Sequence, residues 1–322
     1  MGTPPLDRST IWPYEEGEPG EFYYSRYGNP TQARAEQALG ELEGGDALLF
    51  PSGTGAETAF VLSFLEPGAT IALAEGGYYG TSVMFRELER WGLRFVEFDQ
   101  TGPPPESVDL VWVEAPSNPF LTMPDLEAAV NHPAPLLVDA TASTPVYLRA
   151  LERGADYVLH SATKYLSGHH DVLLGAVVCK RPEDAARLKE TRGRTGITAS
   201  PEAAWLLHRG LHTLDVRMRR HTESATEIAG RLERHDAVER VRYPGFGGML
   251  SFDVEGGADE ARVVESATRS IANATSLGGV RSTLESRHRW EGDRVPPNLV
   301  RLSVGLEPVE ELWDDLNQAL SR

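Results

Sequence analysis

Between Asp46 and about Lys180, short apolar runs alternate with stretches of helical spacing, and this alternation leaves few folds open. Residues 47–50, 70–73, 94–98, 110–114, 136–139, 157–160 and 175–178 read as strands, and residues 55–65 and 83–91 as helices between them. Most of these strand runs are apolar almost throughout, so both faces need cover. The pattern therefore predicts an α/β fold, with a mostly parallel sheet between layers of helix.

The flanks read differently. Ser200-Pro201-Glu202 is a helix start, with a capping serine and a proline at the first helical position. The helical spacing from there continues past His221. Strand runs follow at 238–243, 249–254 and 299–304, with helices at 258–270 and 308–320. Residues 1–40 show no clear periodicity and are rich in Pro, Gly, Glu and Tyr. The expected organisation is an arm (1–40), a large domain (41–200) and a smaller α+β domain (201–322).

Charge narrows the partners. The chain carries 31 Lys and Arg against 48 Asp and Glu, a formal net charge of −17. Such a chain repels nucleic acid and anionic membrane surfaces, so an anionic ligand must be held by a local site. The single cysteine, Cys179, sits in an apolar run and reads as a buried thiol; no internal disulfide can form. No apolar leader or membrane-length apolar run is present, which makes the cytoplasm the expected address. No metal site is expected.

In an open α/β sheet, ligands bind beyond the carboxyl ends of the strands. Four predicted strand ends carry chemistry: Pro51-Ser-Gly-Thr-Gly55, Glu114-Ala-Pro-Ser-Asn118, Asp139-Ala-Thr141 and His160-Ser-Ala-Thr-Lys164. Gly53 and Thr54 stand at a strand-to-helix turn, where backbone N–H groups suit a phosphate; an ordinary Gly-rich turn looks the same. Lys164, just past a buried strand, is either a solvated charge or an amine kept free to form a Schiff base, with Ser161 and Thr163 donating to a phosphate. Asp139 needs a partner, either a helix terminus, an arginine or a pyridinium nitrogen. Tyr78 and Tyr79 lie in a Gly-rich loop, as packing residues or stacked on a flat cofactor. Together these signals describe a site for pyridoxal 5'-phosphate (PLP).

Tyr24-Ser-Arg-Tyr-Gly-Asn-Pro-Thr31, Glu114-Ala-Pro-Ser-Asn-Pro119, His160-Ser-Ala-Thr-Lys-Tyr-Leu-Ser-Gly-His169, Ser276-Leu-Gly-Gly-Val280 and Leu302-Ser-Val-Gly305 resemble the Cys/Met-metabolism PLP enzymes over nearly the whole chain. That family includes cystathionine γ-lyase, cystathionine γ-synthase and methionine γ-lyase. The resemblance implies the aminotransferase-like PLP fold type I with a seven-stranded sheet. It assigns Lys164 as the Schiff-base lysine and Asp139 as the pyridinium partner. Gly53, Thr54, Ser161 and Thr163 become phosphate ligands, with Tyr24 and Arg26 supplied by a neighbouring subunit. Tyr78 becomes the stacking residue and a catalytic acid whose pKa is lowered by cations such as Arg26. Arg301, Asn118 and Ser276 become the substrate-binding residues. The implied assembly is a homodimer at minimum and usually a homotetramer.

The chain departs from the family pattern around the substrate mouth. Ala140 replaces an Asn, Tyr79 a Gly, Thr275 a Glu found in several cystathionine-handling members, and Arg281 an acidic residue. Arg287-His-Arg-Trp-Glu-Gly-Asp293 replaces a loop containing Met-Thr-His. The expected reaction is γ-elimination on a sulfur amino acid, foremost cystathionine to cysteine, 2-oxobutanoate and ammonia. γ-Replacement on an O-acylhomoserine and elimination from methionine are the alternatives. A non-catalytic protein keeping the fold is the reading from another class; Lys164, Asp139 and Arg301 argue against it.

Overall fold

The computed structural model describes residues 4–322. The larger sheet holds β1 (Asp46–Phe50), β2 (Thr70–Ala74), β3 (Arg94–Phe98), β4 (Leu110–Glu114), β5 (Leu136–Asp139), β6 (Tyr157–His160) and β7 (Gly175–Cys179) in the order β1-β7-β6-β5-β4-β2-β3. Every neighbouring pair is parallel except those made by β7, which runs against both β1 and β6. The expected strands thus form with ends shifted by at most a residue. Side chains alternate between two cores: Val111, Val113, Val138 and Val158 face one, and Leu110, Trp112, Leu137 and Leu159 the other. A sheet buried on both faces cannot show a polar alternation in sequence, which is why its strands read as apolar runs.

The register matters for function. Glu114 pairs with Asp139, and Asp139 with Leu159, so the carboxyl ends of β4, β5 and β6 lie level in one row.

The second sheet comprises β8 (Val238–Arg242), β9 (Met249–Val254), β10 (Ala272–Asn273), β11 (Thr283–Ser286) and β12 (Leu299–Ser303), in the order β10-β11-β12-β9-β8. Its Leu250, Phe252 and Leu302 join the same apolar cluster as Val113 and Val138. β10 and β11 were not expected, because Thr283-Leu-Glu-Ser286 carries one apolar residue in four positions.

Three other expectations need correction. The arm does not run extended to residue 40: a helix spans Pro30–Glu43. Asn29 caps it by accepting from the Thr31 and Gln32 N–H groups, and Gly44 closes it at φ 82°, a left-handed conformation that glycine adopts without strain. Its buried face mixes Thr31 and Gln32 with Ala35 and Leu39, so no apolar stripe marks it.

The single helix expected from 200 past 221 is two, Pro201–Leu211 and Leu214–Leu232. Buried Arg217 donates to the carbonyls of Tyr165 (2.6 Å), Leu166 (3.3 Å) and Gly210 (2.9 Å) and to the Thr213 hydroxyl (3.0 Å). The Gly210 carbonyl also accepts from Thr213 N–H at 3.1 Å, the tighter i→i+3 pattern that interrupts an α-helical ladder.

The helix expected over 258–270 stops at Ala267. The Asp315 carboxylate accepts from the N–H groups of Arg269, Ser270 and Ile271 at 2.8–3.0 Å, drawing the chain out of the helix.

Cys179 is buried and unpaired, and burial pushes its thiol up to about 12. Among the described residues no helix is long and apolar enough to cross a membrane.

Arg217→Met should lower stability by about 3 kcal/mol or more, because it strips donors from several buried carbonyls. Urea unfolding followed by far-UV circular dichroism measures this, and a loss under 1 kcal/mol would contradict the account of the helix break.

Candidate functional site

The four strand ends meet at one cavity of about 190 Å³. Gly53 and Thr54 come from the turn after β1, Asn118 from the segment after β4, Asp139 from the end of β5, and Ser161, Thr163 and Lys164 from the turn after β6. Ser276, Arg287 and Arg301 close it from the second sheet's side, and Tyr78 and Tyr79 from the N-cap and first residue of the helix Tyr79–Glu89.

The turn at Ser52 is shaped for close approach. Ser52 caps the helix Gly53–Phe64 by accepting from Gly55 N–H at 2.9 Å. The Gly53 and Thr54 N–H groups stand in the first turn, where no helical carbonyl serves them. A Cβ on Gly53 would meet Ser161 Cβ at 3.1 Å, and one on Gly175 would lie 2.1 Å from the Ser52 carbonyl oxygen. The turn is therefore pressed against both β6 and β7. Thr163 lines the cavity, but its hydroxyl donates to the Leu174 carbonyl (3.1 Å) and accepts from Leu174 N–H (2.9 Å). Its hydroxyl proton is thus committed to tying the lysine turn to the entry of β7.

Lys164 Nζ donates to Ser276 Oγ at 2.7 Å. Burial, followed by the positive charge of Arg301, brings its ammonium down to about 8, with Glu285 opposing. Ser276 holds a left-handed φ of 81°, costly for a residue with a side chain. Its carbonyl accepts from Arg301 Nη2 at 3.1 Å, which helps fix that conformation.

Arg301 is buried and anchored on one side, which leaves part of its guanidinium facing the cavity. It donates to Asn118 Oδ1 at 2.9 Å and to Glu285 Oε1 at 2.5 Å. Arg287 reaches the same Glu285 oxygen at 2.7 Å, donates to Glu291 at 2.9 Å, and lies 5.6 Å from the centre of the Tyr79 ring. Two guanidinium groups on one wall repel; Glu285, bridging both, and Glu291, paired with Arg287, offset part of that cost, and burial followed by Arg287 still brings Arg301 down to about 10.

The opposite wall is acidic. Asp139 accepts from Thr141 N–H at 2.9 Å, and Glu114 from Tyr78 N–H at 2.7 Å. Burial raises both carboxyls above the usual range, and Asp139 raises Glu114 further. No Lys, Arg or His among the described residues forms an ion pair with either. An uncompensated buried carboxylate calls for a cationic ligand.

Tyr78 requires a correction. Its phenol is raised above the ordinary value, chiefly by burial and then by Tyr79 and Glu57, with Arg287 and Arg301 pulling the other way. The group is therefore held protonated. Arg26, expected to come from a neighbouring subunit, in its own chain donates to the Gly193 carbonyl at 2.6 Å, with its guanidinium 5.1 Å from the centre of the Tyr24 ring. Neither Tyr24 nor Arg26 lines the cavity of its own chain.

Sequence reasoning missed Glu57 and Glu285, and gave Thr141, in the run Asp139-Ala-Thr141, no role of its own. Glu57 was detectable as an acid within the apolar helix segment Ala56-Glu-Thr-Ala-Phe60, four positions after Gly53. Glu285 sits on the unexpected β11 and could not be placed.

The family of Cys/Met metabolism PLP-dependent enzymes matches residues 3–321. An L-methionine gamma-lyase from Streptomyces avermitilis is 40% identical over 98% of this chain and 84% of its own length. A cystathionine gamma-synthase from Mycobacterium tuberculosis is 36% identical over 94% and 87%. The solved structure of cystathionine gamma synthase from Xanthomonas oryzae pv. oryzae in complex with aminoacrylate and cysteine superposes with a TM-score of 0.93 at 35% identity, covering 99% of this chain and 92% of that one.

An amine brought down to about 8 reacts only as its free base. Labelling of Lys164 by an amine-specific acylating reagent should therefore rise about tenfold per pH unit below 8 and level off above it. Peptide mapping across pH 6–10 checks this; a rise continuing to pH 10 would place the amine in the ordinary lysine range.

Proposed function

This chain belongs to the Cys/Met metabolism PLP-dependent enzyme family, and we propose that it is a γ-eliminating enzyme that takes cystathionine to cysteine, 2-oxobutanoate and ammonia. Its fold is the family's α/β fold type I, its cofactor is PLP, and it is a carbon–sulfur lyase. The observation that carries the proposal is the convergence of Lys164, Tyr78 and Arg301 on one cavity, opposite a buried Asp139 with no cation of its own.

The residues present fit the cofactor. Asp139 would hold the ring nitrogen, which supplies the missing positive charge. The Gly53–Thr54 turn and Ser161 would hold the phosphate, with Thr163 fixing the turn behind them, Lys164 would bond the aldehyde, and Tyr78 would cover the ring. When bound, PLP offers an aldehyde to the substrate amine and a ring that accepts the electron pair released at the α-carbon.

The rest is the work of the side chains. Arg301, held in place by Asn118 and Glu285, takes the substrate α-carboxylate. Lys164, an amine close to half free at pH 8, removes the α-proton and then carries protons at the β-carbon. Ser276 aims that amine through its 2.7 Å hydrogen bond. Tyr78, held protonated, gives its proton to the departing sulfur.

Tyr24 and Arg26 are assigned to the phosphate of a neighbouring subunit's site, within a homodimer that pairs into a homotetramer. The arm residues carry no role in their own chain's cavity, which supports this reading.

Cystathionine, methionine and O-acetylhomoserine plus a thiol should be assayed with product identification. Cystathionine should yield 2-oxobutanoate and cysteine at the highest kcat/KM, and turnover of acetylhomoserine alone would overturn the lyase reading. Lys164→Ala should abolish turnover. Mixed with Arg26→Ala after subunit exchange, it should regain activity that neither variant has alone. No recovery in proven hybrids would rule out sharing of sites across chains.

A further inference from the structure

Glu57 has no part in the chemistry above, yet it stands in the cavity wall. It follows Gly53 and Thr54 by one helical turn, so all three present one face of the helix Gly53–Phe64 to the cavity. Its neighbours on the helix, Ala56 and Phe60, are fully buried, and Glu57 itself is 3% exposed. A carboxyl here costs stability that an apolar residue would not. One oxygen, Oε1, accepts from the Thr81 hydroxyl at 3.0 Å. The other, Oε2, is buried without a partner.

The surroundings show what Oε2 could meet. Thr81, Glu114 and Asp139 together line a small adjoining cavity of about 10 Å³. The hydroxyl that holds Glu57 therefore shares a wall with Asp139. Facing Glu57 are Asp139 from β5, Glu114 from β4, and Tyr78 and Thr81 from the segment 78–81; Lys164, Arg287 and Arg301 occupy other parts of the main cavity wall. None of these cations pairs with Glu57. Burial, followed by the negative charge of Asp139, pushes Glu57 up to about 8, which leaves a proton on it at neutral pH.

We propose that Glu57 is a positioning residue of the ring-nitrogen subsite, hydrogen-bonding Asp139 through its free carboxyl oxygen and so setting how firmly Asp139 keeps the cofactor nitrogen protonated. This rests on the assignment of Asp139 to that nitrogen. A donor on Asp139 draws off part of its negative charge and orients it. Ionisation of Glu57 removes the donor and adds a second negative charge beside the ring.

The test compares Glu57→Gln, which keeps a donor but cannot ionise, with Glu57→Leu, which does neither. The readouts are PLP affinity, from titration of the apoprotein, and the absorption spectrum of the bound cofactor across pH 6–9.5. The wild-type spectrum should change with an apparent midpoint near 8. Glu57→Gln should bind PLP within about threefold of wild type and lose that transition. Glu57→Leu should bind about tenfold more weakly, the worth of one hydrogen bond to a charged group. Steady-state kinetics of Glu57→Leu should show a lower kcat at unchanged KM. If Glu57→Leu does not fold, the spectrum of Glu57→Gln decides alone. A wild-type-like transition in Glu57→Gln overturns the proposal, as do wild-type PLP affinities in both variants. Asp139→Asn separates the two layers of the argument: unaltered PLP affinity and spectrum there would sink the ring-nitrogen assignment itself.

Discussion

The level alignment of the parallel strand ends is the constraint on which the site depends. Glu114, Asp139 and Leu159 occupy one row across β4, β5 and β6. In a parallel sheet every chain leaves the sheet on the same side, so the turns that follow are gathered without any long excursion. A slip of one residue in β5 would turn Asp139 to the other face of the sheet and replace it with an apolar side chain. Burial on both faces forbids that slip, because β4, β5 and β6 alternate between two separate cores.

Around this row the charges are sorted. The acids Glu57, Glu114 and Asp139 lie on the large-sheet wall without ion-pair partners, whereas the guanidinium groups of Arg287 and Arg301 are held by Glu285 and Glu291. The asymmetry has a chemical logic. In the proposed function the cations would stay put and stay charged to orient a substrate, as their resident counter-ions allow. The acids would meet a positive group that arrives with the cofactor. Lys164 lies between the two sets, and burial, followed by the nearby guanidinium groups, makes it lose its proton more easily than an ordinary lysine.

Much of this was legible in the sequence, for reasons that can be stated. Strands buried on both faces produce apolar runs, and such runs end where Asp139 and the Ser161–Lys164 turn begin. The residues gathered from strand ends were therefore accessible to reasoning. Those contributed by the second sheet were not. Glu285 lies on a four-residue strand with one apolar position, and its value comes from a contact with Arg301, 16 residues away. The helix break at His212-Thr213 was equally hidden. It follows from where the Arg217 side chain finds carbonyls, in a turn more than 40 residues upstream. Tyr78 shows a third kind of gap. The residue was identifiable, but its protonation depends on the partial burial of the phenol and on Tyr79 and Glu57 beside it, which no local pattern records.

The contact between Gly175 and the Ser52 carbonyl has a mechanical consequence. Strand β7 begins at that glycine, and Leu174 just before it is clamped to Thr163 through both backbone groups. The Ser52 turn, the start of β7 and the lysine turn thus behave as a single block. A displacement of the Ser52 turn is therefore passed on to the Lys164 turn, and the spacing between the two turns is set by backbone geometry rather than by the side chains of the substrate-facing wall.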